Sequence, residues 1–103
     1  MRADTAAAGF AAMGSEARLS VLRTLVRAGE EGLIVGHIQA RTGIAPSTLN
    51  HHLRSLSEAG LIIQERDGRS VINRANYVQL EALAGFILSE CCADAESKAV
   101  THG

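Results

Sequence analysis

Two adjacent cysteines, Cys91 and Cys92, are the only thiols in the chain. Thiolates bind soft ions and undergo redox chemistry, and in a chain without a visible secretion signal these roles are favoured over a structural disulfide. A disulfide between neighbouring residues closes a strained eight-membered ring, so within a helix two thiolates on one soft centre are easier to arrange. The alternative is structural, because cysteine is also a small hydrophobic residue that packs well.

A polar helix face within residues 44–59 is the second candidate site. Leucines recur there at i, i+4 and i+7, the spacing of one helix side: Leu49, Leu53 and Leu56. Ser47, His51 and Arg54 fall on the opposite side, where they could reach base edges and phosphates. An ordinary amphipathic helix with a solvated face is the alternative. His52 lies about 60° from the leucine side on the wheel, which favours a packed histidine over a DNA contact.

A hairpin signal follows this helix directly. Asp67-Gly68 is typical of a two-residue turn, with short strands predicted on either side, over residues 61–66 and 69–74. Arg66 and Arg69 flank this turn. They are either the charged solubilising residues of a hairpin or contacts to DNA phosphates and the minor groove, and their place beside the polar helix favours the second interpretation.

Further helices precede this pair of elements. Ser15 is expected to cap a second helix that ends at Gly29. A short third helix over residues 33–41 ends at Gly43, and Pro46 suits the first turn of the fourth. Two helices joined by a short glycine-containing turn form a helix-turn-helix, and the following hairpin makes it a winged helix. The predicted class is therefore mainly α with a small β-hairpin.

Apolar helices near both ends predict a dimer. An alanine-rich helix is predicted over residues 3–13 and a longer helix over about 78–95. The longer helix carries a continuous apolar stripe: Leu80, Leu83, Ala84, Ile87, Leu88 and Cys91. Because the middle helices already supply a core, these two helices favour a dimer interface. We expect residues 97–103 to be disordered.

Composition fits a single domain over residues 1–103. The net charge of −1 is unevenly distributed, since residues 37–76 carry five arginines against three acidic side chains, whereas residues 77–103 are net −3. Arginine suits bidentate phosphate and guanine contacts, so the middle of the chain could meet DNA.

Several classes of protein are not favoured by the sequence. No apolar run reaches the roughly 18 residues of a membrane span, and no signal peptide is visible, so we expect a cytoplasmic protein without a membrane partner. Glycine-rich phosphate loops and nucleophile-elbow motifs are absent, so we do not expect an enzyme.

Three stretches of the chain resemble the ArsR family of small winged-helix repressors. They are residues 14–25 (GSEARLSVLRTL), residues 47–61 (STLNHHLRSLSEAGL) and the Arg-Asp-Gly-Arg sequence of the hairpin. The resemblance covers roughly residues 6–92 and implies a homodimer, paired through its first and last helices, on a double-stranded operator with an inverted repeat. Carried over residue by residue, it puts the following side chains in the major groove: Ser47, Thr48, Asn50 and His51. Arg54 would contact a phosphate.

The sensing sites of the family are not matched. Some members bind soft metals through a Cys-x-Cys pair on the third helix, where this chain has no thiol, and others bind zinc on the last helix, where this chain has no histidine before His102. His37 alone is interpreted as a surface or capping residue. Cys91 and Cys92 remain, and they are similar to the C-terminal Cys-Cys of some ArsR-like repressors.

The two thiols favour one ligand class. Inorganic trivalent arsenic normally takes three thiolates, whereas a methylated trivalent arsenical has two exchangeable positions that a thiol pair saturates. We therefore expect no required cofactor, and an organoarsenical as the ligand of Cys91 and Cys92 that relieves repression. A persulfide or oxidant sensor is the main alternative, and a winged-helix protein-interaction module without DNA binding is the alternative from another class.

Overall fold

The computed structural model describes residues 1–95 of the chain. Its helices and strands run in this order: α1 (Ala3–Ala12), α2 (Glu16–Ala28), α3 (Val35–Thr42), α4 (Pro46–Glu58), β1 (Ile62–Asp67), β2 (Ser70–Ala75) and α5 (Tyr77–Leu88). The predicted class, mainly helical with one β-hairpin, is confirmed. In this part of the chain no helix combines the length and the apolar character that a membrane crossing requires.

Local signals set the ends of the middle helices. The Ser15 hydroxyl accepts a hydrogen bond from the Arg18 N–H at 3.0 Å and so caps α2 as predicted. Gly43 ends α3 in the left-handed region, with φ of 74°. Pro46 begins α4, where its missing N–H would have no helical partner. These residues bring α3 and α4 together across a short turn.

The core lies where α2, α3 and α4 pack against one another. Its fully buried side chains are aliphatic: Leu25, Ile38, Leu49, Leu53 and Leu56. Leu61 at the start of the hairpin and Leu83 of α5 are buried with them. Since each buried leucine or isoleucine contributes about 1.5–3 kcal/mol, this core fixes which side of α4 faces outward.

The two strands pair antiparallel, with Asp67 opposite Ser70. The turn is therefore Gly68-Arg69, one residue later than the predicted Asp67-Gly68. Gly68 has φ of 63° whereas Arg69 has no positive φ, as in a two-residue turn with glycine first. Arg69 consequently lies at the tip of the hairpin itself.

Leu33 was expected to begin α3, and that assignment is wrong. Its N–H donates to the Asn73 carbonyl at 2.9 Å and its carbonyl accepts from the Asn73 N–H at 2.8 Å, so Leu33 pairs with β2. The buried Asn73 side chain reinforces this pairing, since Nδ2 donates to the Leu33 carbonyl at 3.2 Å and Oδ1 accepts from Gln64 Nε2 at 2.8 Å. Short apolar runs fit a helix or a strand equally well, which explains the error.

Helix α5 ends at Leu88, whereas the sequence predicted a helix to about residue 95. The Ser89 hydroxyl donates to the Phe86 carbonyl at 2.9 Å, and residues 89–95 form successive turns and a bend. A serine hydroxyl that bonds the preceding backbone competes with helix continuation, and no glycine or proline signals the end. The predicted disorder of residues 97–103 lies outside the described residues.

Candidate nucleic-acid interface and thiol pair

The outer side of α4 is a continuous polar surface. The side chains predicted to contact DNA from this helix are all exposed there: Ser47, Thr48, Asn50, His51 and Arg54. The buried leucines on the opposite side prevent α4 from rotating without exposing apolar surface. An α-helix with its side chains is about 10–12 Å in diameter, close to the width of the major groove. Hydroxyl, amide, imidazole and guanidinium groups are thus presented together on an element that could enter it.

The two adjacent histidines of α4 have different environments. His51 is exposed, whereas His52 is half-buried, and the ring centroids lie 6.2 Å apart. Within residues 1–95 the buried Nδ1 of His52 has no hydrogen-bond partner. Burial, together with the positive charge of Arg18 and the neighbouring His51, lowers the pKa of His52. His52 therefore packs against the fold, in agreement with the helical wheel.

The hairpin extends two arginines away from the core. Arg66 and Arg69 are both exposed, and neither takes part in an ion pair within residues 1–95. Arg74 on the neighbouring strand, by contrast, contacts Glu65 at 3.1 Å between Nη2 and Oε1. The two outer guanidinium groups are therefore available to an external anion, while the inner one is neutralised within the hairpin.

Cys91 and Cys92 follow α5 and are not on it. The expected position of Cys91 on the apolar stripe is wrong, because α5 ends before it and the residue is exposed. The two sulfurs are 3.3 Å apart, and Cys92 has φ of 66°, which is outside the helical region. The hydrogen bond with Cys91, and to a smaller extent burial, raises the pKa of the Cys92 thiol. Among residues 1–95 no group of three or more His, Cys, Asp or Glu side chains could hold a metal ion.

Two arginines that the sequence analysis did not single out also lie close together. Arg27 at the end of α2 and Arg41 at the end of α3 line one groove with Thr24. The spacing of Arg23 and Arg27, four residues apart on the exposed side of α2, was the available signal. The contribution of Arg41 depends on how α2 and α3 pack, and no local pattern encodes that packing.

The terminal helices α1 and α5 pack together at Gly9. A Cβ atom at Gly9 would lie 3.0 Å from Cδ1 of Leu83, so the glycine permits a close approach. Beyond this contact Ile87 and Leu88 remain 64% and 65% exposed. Residues 1–95 of one protomer therefore leave apolar surface of α5 uncovered.

A helix-turn-helix domain model matches residues 13–65, which include α2 to α4 and most of β1. Two relatives are each 36% identical to the chain. One is a transcriptional regulator of the helix-turn-helix type from Bacillus subtilis, matched over 59% of this chain and 60% of that protein. The other is a Halobacterium salinarum protein whose name assigns it to repression of an arsenical resistance operon, matched over 58% of this chain and 46% of that protein. The matches thus span less than two thirds of either relative.

The fold is also found in solved structures. A homodimeric winged helix-turn-helix DNA-binding domain from Mycobacterium bovis superposes with a TM-score of 0.65, at 24% identity, over 97% of this chain and 88% of that one. This likeness establishes the arrangement of helices and hairpin. The family follows instead from the domain match and the two relatives: the chain belongs to the ArsR family of winged helix-turn-helix transcriptional regulators.

Proposed function

We propose that the protein is a DNA-binding transcriptional repressor that acts as a homodimer. The observation that carries this proposal is the outer surface of α4, where five polar side chains are exposed opposite three fully buried leucines. Ser47, Thr48, Asn50 and His51 would reach base edges, and Arg54 a phosphate. Arg66 and Arg69 of the hairpin would contact the backbone or the minor groove beside that site.

The homodimer is supported by apolar surface and by a neighbour. Ile87 and Leu88 are exposed on α5, and the Mycobacterium bovis domain with the same fold is homodimeric. A two-fold dimer presents two copies of α4, and such dimers bind half-sites about one helical turn apart. An operator with an inverted repeat follows from that symmetry.

Selection of binding sequences from random duplexes, followed by fluorescence polarisation on the enriched duplex, tests DNA binding. We expect His51→Ala to lower the affinity for the selected duplex roughly tenfold, because a base contact contributes about 1–3 kcal/mol. The affinity for an unrelated duplex should be almost unchanged. Because His51 is exposed, thermal unfolding of the variant should match wild type. If no duplex is enriched, the protein-interaction module becomes the better description.

We further propose that Cys91 and Cys92 together bind a trivalent organoarsenical that relieves repression. Support comes from the 3.3 Å separation of the sulfurs, from the exposure of Cys91, and from the arsenical-resistance relative. A methylated arsenical with two hydroxyl groups would form two As–S bonds, and the two departing hydroxyls would leave as water with the two thiol protons. Two thiols complete this exchange without a third ligand.

Thiol oxidation is the competing chemistry. A hydroperoxide would take two electrons and both thiol protons, form an S–S bond and release water and an alcohol. Cys91 and Cys92 lie in an exposed turn, so helical backbone geometry does not oppose a disulfide between them. However, a raised pKa lowers the thiolate fraction of Cys92, which slows nucleophilic attack on an oxidant. The arsenical is favoured over the oxidant because one relative is named for an arsenical resistance operon.

The two chemistries can be separated on the protein–DNA complex. In a titration with methylarsenite, phenylarsenite, arsenite, Zn²⁺, a persulfide and a hydroperoxide, the organoarsenicals should release the duplex at the lowest concentration. Cys91→Ser/Cys92→Ser should bind DNA like wild type and show no release. A double variant that responds normally would exclude the thiol pair as the sensor, and release by the persulfide or the hydroperoxide alone would replace the arsenical with that oxidant.

A further inference from the structure

A groove between α2 and α3 is lined by two arginines, and no acidic side chain among residues 1–95 lines it with them. Thr24, Arg27 and Arg41 line it, and its volume is about 390 Å³. Within residues 1–95 neither arginine takes part in an ion pair. A structural explanation exists for each arginine alone, since both lie in the last turn of a helix, where a cation opposes the helix dipole. The dipole does not require the two guanidinium groups to share one groove.

The hydrogen-bonding groups of the groove suit an anion. The Thr24 hydroxyl already donates to the Ser20 carbonyl at 2.8 Å, so its proton is committed within α2. The donors that remain are the guanidinium N–H groups, whose planar geometry matches the oxygens of a phosphate. Both arginines are exposed, so a large polyanion could approach them.

The position of the groove connects it with α4. Only residues 43–45 separate the end of α3 from the start of α4, and such a segment spans about 10 Å at most. In a helix-turn-helix the second helix enters the major groove while the first crosses the DNA backbone. Arg41 at the end of α3 thus lies at the corner from which α4 begins, with Arg27 beside it across the groove.

We propose that the groove lined by Thr24, Arg27 and Arg41 binds a phosphate of the DNA backbone flanking the major-groove contact. This inference rests on the proposed DNA binding and adds a contact outside the outer surface of α4 and the hairpin. A phosphate contact fixes the protein on the duplex but carries no sequence information. The groove therefore contributes affinity equally to operator and non-operator DNA.

The test is a salt series on the full chain with the double variant Arg27→Gln/Arg41→Gln. We expect roughly tenfold weaker binding from the loss of charged hydrogen bonds. The slope of log K against log salt should fall by about 0.9 for each lost phosphate contact, or about 1.8 per dimer. Both effects should be the same for the selected duplex and for a scrambled duplex. Arg2→Gln, which removes one charge per protomer where the double variant removes two, is the control. Because Arg2 is paired with Asp4 at 3.1 Å, this variant should retain the wild-type slope.

The other outcomes separate this inference from the proposed function. If wild type binds the duplex and the double variant has the same affinity and slope, the groove makes no contact and this inference alone is wrong. If the variant loses affinity only for the selected duplex, the arginines read bases and the phosphate assignment is wrong. If wild type binds no duplex, the proposed function and this inference both fail. NMR of the arginine Nε–Hε groups during a pyrophosphate titration would then reveal whether the groove takes a soluble phosphate compound instead.

Discussion

Neighbouring residues on α4 differ in role because the helix turns about 100° between them. That rotation predicted the packing of His52 beside the exposed His51, and the structure agrees. The same approach failed at Cys91, since its environment depends on where α5 ends. At that helix end the Ser89 hydroxyl donates to the Phe86 carbonyl, and no glycine or proline marks the position. Angular position within a helix could thus be predicted, whereas an unmarked helix end could not.

The lowered pKa of His52 predicts a pH-dependent stability. As the pH falls below about 6.5, the His52 imidazole becomes protonated in the unfolded chain before it does so in the folded chain. The free energy of unfolding therefore decreases. Above that pH both states are neutral at His52 and the contribution is constant. Urea unfolding from about pH 7.5 to about pH 5 should show a smaller decrease for His52→Asn than for wild type. His37→Asn, which removes an exposed histidine and leaves His52 in its site, should keep the wild-type decrease. Equal decreases in wild type and His52→Asn would contradict the assignment.

Among the elements, the pairing of Leu33 with β2 joins parts of the chain that are distant in sequence. Forty positions separate Leu33 from Asn73, so no local pattern could predict the bridge. The helix-turn-helix and the hairpin were predictable because leucine spacing, Gly43, Pro46 and the Asp-Gly sequence encode them locally. The polar surface of α4 followed from the same spacing. The groove at Arg27 required the packing of two helices and was missed.

The bridge makes Gly32 a sensitive position. Gly32 has φ of 69°, and an added Cβ would lie 2.5 Å from the Asn73 carbonyl oxygen. We expect Gly32→Ala to lower the free energy of unfolding by more than about 2 kcal/mol, from backbone strain and a steric clash together. Gly43→Ala is the matched control, since Gly43 also has positive φ, at 74°, but has no atom within 4 Å of the added Cβ. Urea denaturation of both variants separates the two costs, and similar losses would mean that the backbone moves to accommodate the clash.

The sequence predicted more apolar surface on the terminal helices than one protomer covers. Leu83 is buried and packs at Gly9, whereas Ile87 and Leu88 remain largely exposed. The apolar stripe on α5 is shorter than predicted because the helix ends at Leu88. Cys91 and Cys92 therefore follow directly after the exposed pair. Under the proposed dimer, a ligand on these thiols would act at the edge of the interface and could alter the spacing of the two α4 helices.

Removal of the exposed pair tests the dimer. We expect Ile87→Ser/Leu88→Ser to sediment as a monomer with near-native helix content, because neither side chain belongs to the core of one protomer. Its affinity for the selected duplex should fall roughly a hundredfold, since each α4 then binds alone. Val26→Ser, which replaces a 40% exposed apolar residue on α2, should leave the molecular mass unchanged. A double variant that remains dimeric would move the interface to another surface.

The Leu33 bridge also bears on engineering of the hairpin. A designer who transplants residues 62–75 into another winged helix would carry over the turn and its arginines but leave Leu33 behind. Asn73 Nδ2 would then lose its 3.2 Å hydrogen bond to the Leu33 carbonyl and keep only the 3.4 Å bond to the Val71 carbonyl of the same hairpin, a loss of about 0.5–1.5 kcal/mol. The grafted hairpin would also lose the two backbone hydrogen bonds between Leu33 and Asn73. The smallest transferable unit is therefore discontinuous, and it comprises the hairpin together with Gly32 and Leu33.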